Sequence, residues 1–224
     1  MSTPPCSSTP EESEPRVIAL GLAWIVVDKP AGLPSVPGRG PELADCAVTR
    51  VQRRFPEALT VHRLDMATSG LLLLARGPLH QRSLSIAFEQ RQVHKVYEAV
   101  VDGWMAQDAG VIDLPLAADW PRRPRQCVDT TRGKPSTTHY RVLERLHGSG
   151  DAPRTRVELQ PRTGRSHQLR VHLLALGHPI CGDTLYADNH PTAASARLML
   201  HARDLALDDP CTGNRASFSC PTPF

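Results

Sequence analysis

Apolar residues in this chain fall into short runs separated by turn-formers, and most of the runs have strand length. Residues 17–20 and 23–28 read as two strands joined at Gly21 and stopped by Lys29-Pro30-Ala31-Gly32, where proline fixes φ and glycine permits a turn. Leu71-Leu72-Leu73-Leu74-Ala75 lies between Ser69-Gly70 and Gly77-Pro78. A continuous apolar run of that length predicts a strand buried on both faces. Residues 93–101 alternate in strand fashion, and 137–146, 155–159 and 198–201 with Leu205 and Leu207 supply further strands. Ile112 and Leu114 mark a short extended piece.

Three segments carry helical spacing instead. Residues 45–55 place Ala47, Val48, Val51 and Phe55 on one face ahead of Pro56, and 78–91 opens with Pro78 and carries Leu79, Leu84, Ala87 and Phe88. In 166–176 the apolar positions are Leu169, Leu173 and Leu176, with Ser166 as the expected N-cap and Gly177 then Pro179 as the stop. Strands outnumber helices and do not alternate with them regularly. The expected fold is therefore α+β: a mixed, largely antiparallel sheet with flanking helices.

A chain of 224 residues with 40% apolar content suits one domain with its own core. Residues 1–15 hold four prolines and three glutamates with little to bury, and predict a disordered tail ahead of a single domain over 16–224. The longest apolar run, 17–27, is 11 residues and contains a glycine, whereas about 20 are needed to cross a bilayer. With no signal-peptide pattern at the start, the expectation is a cytoplasmic protein without a membrane partner. Cys6, Cys46, Cys127, Cys181, Cys211 and Cys220 never form Cys-x-x-Cys, and the ten histidines do not bracket them at zinc spacings. They read as reduced thiols, with no metal site.

Charge changes the picture when it is divided along the chain. The net charge is only +3, yet residues 121–170 hold 12 basic side chains against 4 acidic ones. Arg122, Arg123, Arg125, Arg132 and Lys134 fall in that block and predict contacts to a polyanion backbone. Arginine accounts for 23 of the 26 basic residues, and its planar fork fits phosphate.

Four segments could carry chemistry. In His62-Arg63-Leu64-Asp65-Met66-Ala67-Thr68-Ser69-Gly70 a carboxylate sits in a polar turn feeding the buried strand. Spacing alone leaves Asp65 as either a positioned nucleophile or a cap of the turn. In Arg162-Thr163-Gly164-Arg165-Ser166-His167-Gln168 an arginine precedes a helix start, where free N–H groups favour anions; with Gln168 it makes an anion or base-edge site, or else a solvated helix end. Lys95, Tyr97 and Ala99 share one strand face, and Arg197-Leu198-Met199-Leu200-His201 is an apolar strand ended by a histidine.

Together these segments resemble a family. HRLDMATSGLLLLA, then KVYEAVVDG, GRSHQLRVHLLALGHPICGD and RLMLHA, with KPAGLPSVPG ahead of them, are similar to the pseudouridine synthases of the RluA family. The similarity spans residues 17–224, and Ser166 stands where most members have threonine. DWPRRPRQCVDTTRGKPSTTHY and SFSCPTPF resemble most the dual-specificity branch, which acts on 23S rRNA and on the anticodon loop of some tRNAs. The resemblance implies an RNA-modifying isomerase with a central RNA-binding cleft. Its RNA partners would be rRNA or tRNA stem-loops, and no obligate protein partner is implied, so a monomer is expected. Larger relatives carry an N-terminal S4 domain, for which the residues ahead of the first strand are too few.

By that likeness Asp65 is the catalytic aspartate and Arg165 its ion-pair partner. Tyr97 is the aromatic group against the base and a candidate acceptor for the uracil C5 proton, and Leu198 is the apolar floor. His62, Arg63, Lys95 and Gln168 are placed on the substrate, with Arg63 filling the space that a flipped base vacates. The isomerisation breaks a C–N glycosidic bond, forms a C–C bond from C5 to C1′ and releases the C5 proton. Atoms and electrons balance within the substrate, so no cofactor is expected. Two other classes compete: a non-catalytic RNA-binding module, for which the combination of Asp65, Tyr97 and Arg165 has no use, and a glycosidase, which wants two close carboxylates.

Overall fold

The computed structural model describes residues 14–38, 40, 44–147, 152–187 and 195–224. Of the tail expected over 1–15, residues 1–13 lie outside the described residues. Among the described residues the elements follow as β1 (Arg16–Leu20), β2 (Trp24–Lys29), α1 (Ala47–Gln52), β3 (Ala58–Thr60), β4 (Ser69–Arg76), α2 (Pro78–Glu89), β5 (His94–Asp102), β6 (Ala109–Asp113), β7 (Leu116–Ala118), β8 (Gln126–Val128), β9 (Thr137–His147), β10 (Pro153–Pro161), α3 (Gln168–Ala175), β11 (Leu200–Asp208) and β12 (Arg215–Ser219).

Ten strands join in one sheet of order β1-β2-β4-β11-β5-β10-β9-β6, with β3 beside β4 and β12 beside β11. Every pairing is antiparallel except β4 with β11. This is the mixed, largely antiparallel sheet that the patterning predicts. Strands β7 and β8 form a separate two-stranded hairpin, which the sequence pattern does not announce. At three residues each, neither shows a period.

The leucine run is buried on both faces, as expected. Leu72 and Leu74 pack with Ile25, Val27 and the α1 residues Ala47, Val48 and Val51, while Leu71 and Leu73 pack with Trp24, Val26 and Leu84 of α2. Across the sheet, Leu169 and Leu173 of α3 cover Ala99 and Val101 of β5 and Val157 and Leu159 of β10. The opposite face of those two strands is polar, where Glu98 and Glu158 are bound by Arg141, Arg156 and Arg203. Tyr97 packs against both the α1 cluster and the α3 cluster. It therefore stands at the seam between the two halves, where a cleft opens.

The halves are joined by β11, which enters between β4 and β5. Gly70 of β4 pairs with Ala202 at this junction with φ at +107°, and a Cβ there would lie 2.3 Å from the Ala202 carbonyl oxygen. Only glycine fits. We expect Gly70→Ala to cost at least about 2 kcal/mol, from left-handed strain and backbone displacement together. Urea unfolding should show a lowered midpoint with an unchanged slope, and an unaltered midpoint would refute the packing described for this junction.

Candidate active site

The cleft at the seam has a volume of about 600 Å3 and draws its lining mainly from four stretches: the loop between β3 and β4, the end of α2, the start of β5, and the turn between β10 and α3 with the first turn of that helix. Asp65, Tyr97, Arg165, Arg63, His62, Lys95 and Gln168 all line it. Sequence distance between these residues reaches about a hundred positions, so it is the sheet that brings them together.

The loop carrying Asp65 is held from below by the Lys29-Pro30-Ala31-Gly32-Leu33-Pro34-Ser35 segment. Ser35 Oγ accepts the Leu64 N–H at 3.0 Å and donates to the Leu64 carbonyl at 2.7 Å, while the Gly32 N–H donates to the Met66 carbonyl at 2.9 Å. Lys29 is fully buried, and its ammonium donates to the carbonyls of Pro30, Leu33 and Met66 at 2.8, 2.7 and 3.1 Å. Both residues flanking Asp65 are thus clamped through their backbones. Sequence reasoning missed Lys29, because a lone lysine beside a turn looks like a solvated charge; the following Pro-Ala-Gly, which leaves carbonyls turned inward, was the available signal.

Asp65 itself is about a quarter exposed, and its carboxylate lies 3.7 Å from Nη1 of Arg170. This corrects the expected pairing with Arg165, which is exposed and projects from the turn ahead of α3. Arg170 is buried, and its Nε and Nη2 donate to both oxygens of Asp183 at 2.7 and 2.6 Å, which leaves Nη1 turned toward Asp65. Asp183 also accepts the N–H groups of Leu185 and Tyr186. Helix phase explains the exchange: α3 starts at Gln168, so Arg170 lies in its inward first turn and Arg165 lies outside it.

The helix start also differs from expectation. His167, with φ at +53°, is the N-cap, and Ser166 is exposed. The turn is closed by Gln168, whose Oε1 accepts from Thr163 Oγ1 and the Arg165 N–H while Nε2 donates to Thr137 O and Thr138 Oγ1. All four of its hydrogen-bonding positions are taken. Gln168 therefore shapes the cleft wall and has no group left for a base edge. His62 is likewise committed: its Nε2 accepts the Leu73 N–H at 3.0 Å, its ring stacks on Phe88 at 4.3 Å, and burial, assisted by Lys95, lowers its pKa to about 3. It lines the cleft as a neutral ring.

Leu198 is a core residue of the α3 cluster, and Leu200 is the aliphatic side chain of this strand that lines the cleft. Burial first, then the charge of Asp65, pushes the Tyr97 phenol above its ordinary pKa. The phenol therefore stays protonated at neutral pH, with its ring facing the cleft. Lys95 is half-buried beside it, and burial lowers its pKa. Arg63 reaches from the Asp65 loop toward Ser166 Oγ at 3.5 Å.

The five basic residues expected on the RNA backbone lie on and after the β7–β8 hairpin. Arg122 is paired with Asp119 at 2.8 Å and Arg132 with Asp129 at 2.9 Å, so two of them face carboxylates. Arg123 stacks on the exposed Trp120 ring, Arg125 lies over Tyr186, and Lys134 is exposed. Among the described residues one group has potential metal ligands close together, namely Asp28, His201 and Cys220. The His201 ring nitrogens meet Ser69 Oγ at 2.8 Å and the Cys220 carbonyl at 3.2 Å, Arg16 pairs with Asp28, and Arg197 donates to Ser69. Its polar atoms are satisfied in a cationic setting, which ties strands together and does not suit a cation.

Burial also sets the Lys29 pKa to about 7, down from 10.5, against the opposing pull of Asp65. Between those two values the unfolded chain binds more protons than the folded one, so the cost of burying Lys29 is full below pH 7 and is relieved as pH rises toward 10.5. Wild-type stability measured against Lys29→Met should therefore rise across this window by up to ~1.4 kcal/mol per pH unit. A difference independent of pH would refute the buried ammonium.

Comparison with known proteins agrees with this arrangement. The family model described as RNA pseudouridylate synthase matches residues 23–175. The dual-specificity RNA pseudouridine synthase RluA of Yersinia pestis is 50% identical over 200 residues, covering 89% of this chain and 95% of that protein. The protein of the same name from Escherichia coli (strain K12) is 48% identical over 200 residues, with 89% and 90% covered. Among solved structures, human RNA pseudouridylate synthase domain containing 1 superposes with a TM-score of 0.79 at 29% identity over 95% of this chain and 85% of that one. Human RNA pseudouridylate synthase domain containing 4 gives 0.71 at 27% identity, covering 93% and 88%. With its fold and its sequence both shared with these proteins, the chain belongs to the RNA pseudouridylate synthase family and is an isomerase that converts uridine in RNA to pseudouridine.

Proposed function

We propose that this enzyme modifies uridines in both rRNA and tRNA stem-loops, with Asp65 as the catalytic carboxylate. The observation that carries the assignment is the placement of Asp65 beside Arg170 and Tyr97 in a cleft whose other charged lining is mainly cationic. The specificity rests on the 23S rRNA and tRNA branch to which the sequence is most similar, including relatives named dual-specificity synthases at 47–50% identity. Such RNAs are met in the cytoplasm. Among the described residues no helix is long and apolar enough to cross a membrane.

The chemistry needs an ionised carboxylate at the nucleoside whether the group attacks C1′ of the sugar, attacks C6 of the base or removes the C2′ proton. A buried guanidinium serves that need, since it favours the charged form of a nearby acid and fixes its direction. Arg170 Nη1 stands 3.7 Å from the Asp65 carboxylate and directs it into the cleft. Once C5 has bonded to C1′ and Asp65 has been released from the substrate or has returned its proton, its carboxylate stands in the cleft to take the C5 proton, with the Tyr97 hydroxyl beside it. Tyr97 offers its ring as the surface on which uracil turns. Leu200 supplies the apolar contact beside it.

A uridine inside a stack cannot reach this cleft, and flipping it out costs a few kcal/mol. Arg63, exposed at the mouth and tied only weakly to Ser166, is the planar group placed to occupy the vacated position. Loops with splayed bases lower that cost, which suits stem-loop substrates.

Tritium release from C5-labelled transcripts tests the assignment. Wild type should release tritium from both 23S rRNA stem-loops and tRNA anticodon arms, and Asp65→Asn should bind the same RNAs while releasing at least about 10³-fold less. Release by Asp65→Asn at a rate close to wild type would remove Asp65 from the chemistry. Release from only one RNA class would reduce the specificity to that class.

A further inference from the structure

The cleft continues past Lys95 into a groove of about 410 Å3 lined by Arg91, His94, Lys95, Gln160 and Arg162. Arg91, Lys95, Pro161 and Arg162 belong to both cleft and groove. On the other side a cavity of about 400 Å3 shares Arg63, Asp65, His167 and Arg170 with the cleft and reaches Pro124 on the β7–β8 hairpin. Groove and cavity have no lining residue in common. The cleft thus lies between them, and the groove leads away from the hairpin that holds the expected phosphate contacts.

Arg91 is the residue beyond the C-cap of α2, and its φ is +61°. Its N–H donates to the Phe88 carbonyl at 3.2 Å and that of Gln92 to Ala87 at 2.9 Å, closing the helix end in the way usually given to glycine. Arg91 and His167 are the two non-glycine residues with positive φ among the described residues, and both line the cleft. A glycine would close this turn without strain. What the arginine adds is a guanidinium over the groove, and strain kept at such a place points to use of the side chain.

The charge is also uncompensated. Among the described residues Arg91, Lys95 and Arg162 have no carboxylate partner, in contrast to Arg122 and Arg132 on the hairpin side. The cleft lining holds Glu89 as its one carboxylate besides Asp65. An open, cationic groove running out of a nucleotide-sized cleft matches the backbone of a single strand.

We propose that this groove is a phosphate track, holding the RNA strand that leaves the cleft on the side away from the hairpin, with Arg91 and Arg162 each on a phosphate. The proposal rests on the RNA-modifying reading and assigns to it a second binding surface. It separates affinity from stability at one position, because Arg91→Gly removes strain and a phosphate contact at once.

The test uses the full chain, the two stem-loop transcripts, thermal unfolding, and RNA affinity across a salt series. Arg91→Gly should unfold a few degrees higher than wild type. Its RNA affinity should fall about 4- to 5-fold near 0.15 M salt, with the slope of log affinity against log salt reduced by about 0.7 to 0.9, the value of one contact. Arg162→Gln should lose the same slope without the rise in unfolding temperature, and Arg91→Lys should retain the wild-type slope. Arg91→Gly binding with unchanged affinity and slope would overturn the track, as would weaker binding accompanied by a lower unfolding temperature. Wild-type protein that neither binds these RNAs nor releases tritium would instead overturn the substrate reading beneath it.

Discussion

A guanidinium buried out of reach of water must have its donors matched by acceptors, and in this enzyme that requirement holds Arg170 where its charge faces Asp65. Arg170 satisfies two donors on Asp183, and geometry then aims a third at Asp65. Asp183 is in turn held by two backbone amides, one of them from Tyr186, whose hydroxyl accepts the Gln126 N–H and meets Nδ1 of His167. Leaving Arg170 without Asp183 would strand a buried charge, an error worth roughly 3–5 kcal/mol. The charge that faces the carboxylate at the centre of the cleft therefore takes its place from a chain of bonds that runs to the hairpin on one side and into α3 on the other.

What could be read from the sequence follows from where a signal is local. The leucine run announces a strand with two buried faces because its burial is continuous, and Asp65 stands out because it interrupts polar turn residues just ahead of that run. Arg165 and Arg170 lie in the same short motif, and choosing between them needs the phase of α3, which turns on a helix start two residues later than Ser166. Sequence spacing does not carry that information. Gln168 and His62 illustrate a second limit: each is polar and lines the cleft, yet their hydrogen bonds are used up by Thr137, Thr138, Thr163 and Leu73, contacts between residues as many as 31 positions apart. The β7–β8 pair is invisible for a third reason, since three-residue strands have no period to detect.

Charge counting likewise located a basic region but not its effective charge. Asp119 and Asp129 sit three residues from the arginines that they bind, a spacing easy to see and easy to overlook when only totals are compared. Lys29 is the opposite case, a single lysine whose burial among three carbonyls makes it part of the support under Asp65. Both cases turn on solvation, which a residue count does not contain.

The position of β11 has a consequence for how the enzyme comes into being. All the residues that line the cleft except Leu200 precede β11 in the chain, yet β4 and β5 do not touch in the sheet until β11 lies between them. A missing strand leaves a slot of about 10 Å, twice the spacing of neighbouring strands. During synthesis, when segments are made in order from the N-terminus, the two walls of the cleft exist long before they can face each other across one uridine. Completion of the cleft therefore waits on β11, next to last of the strands to be made.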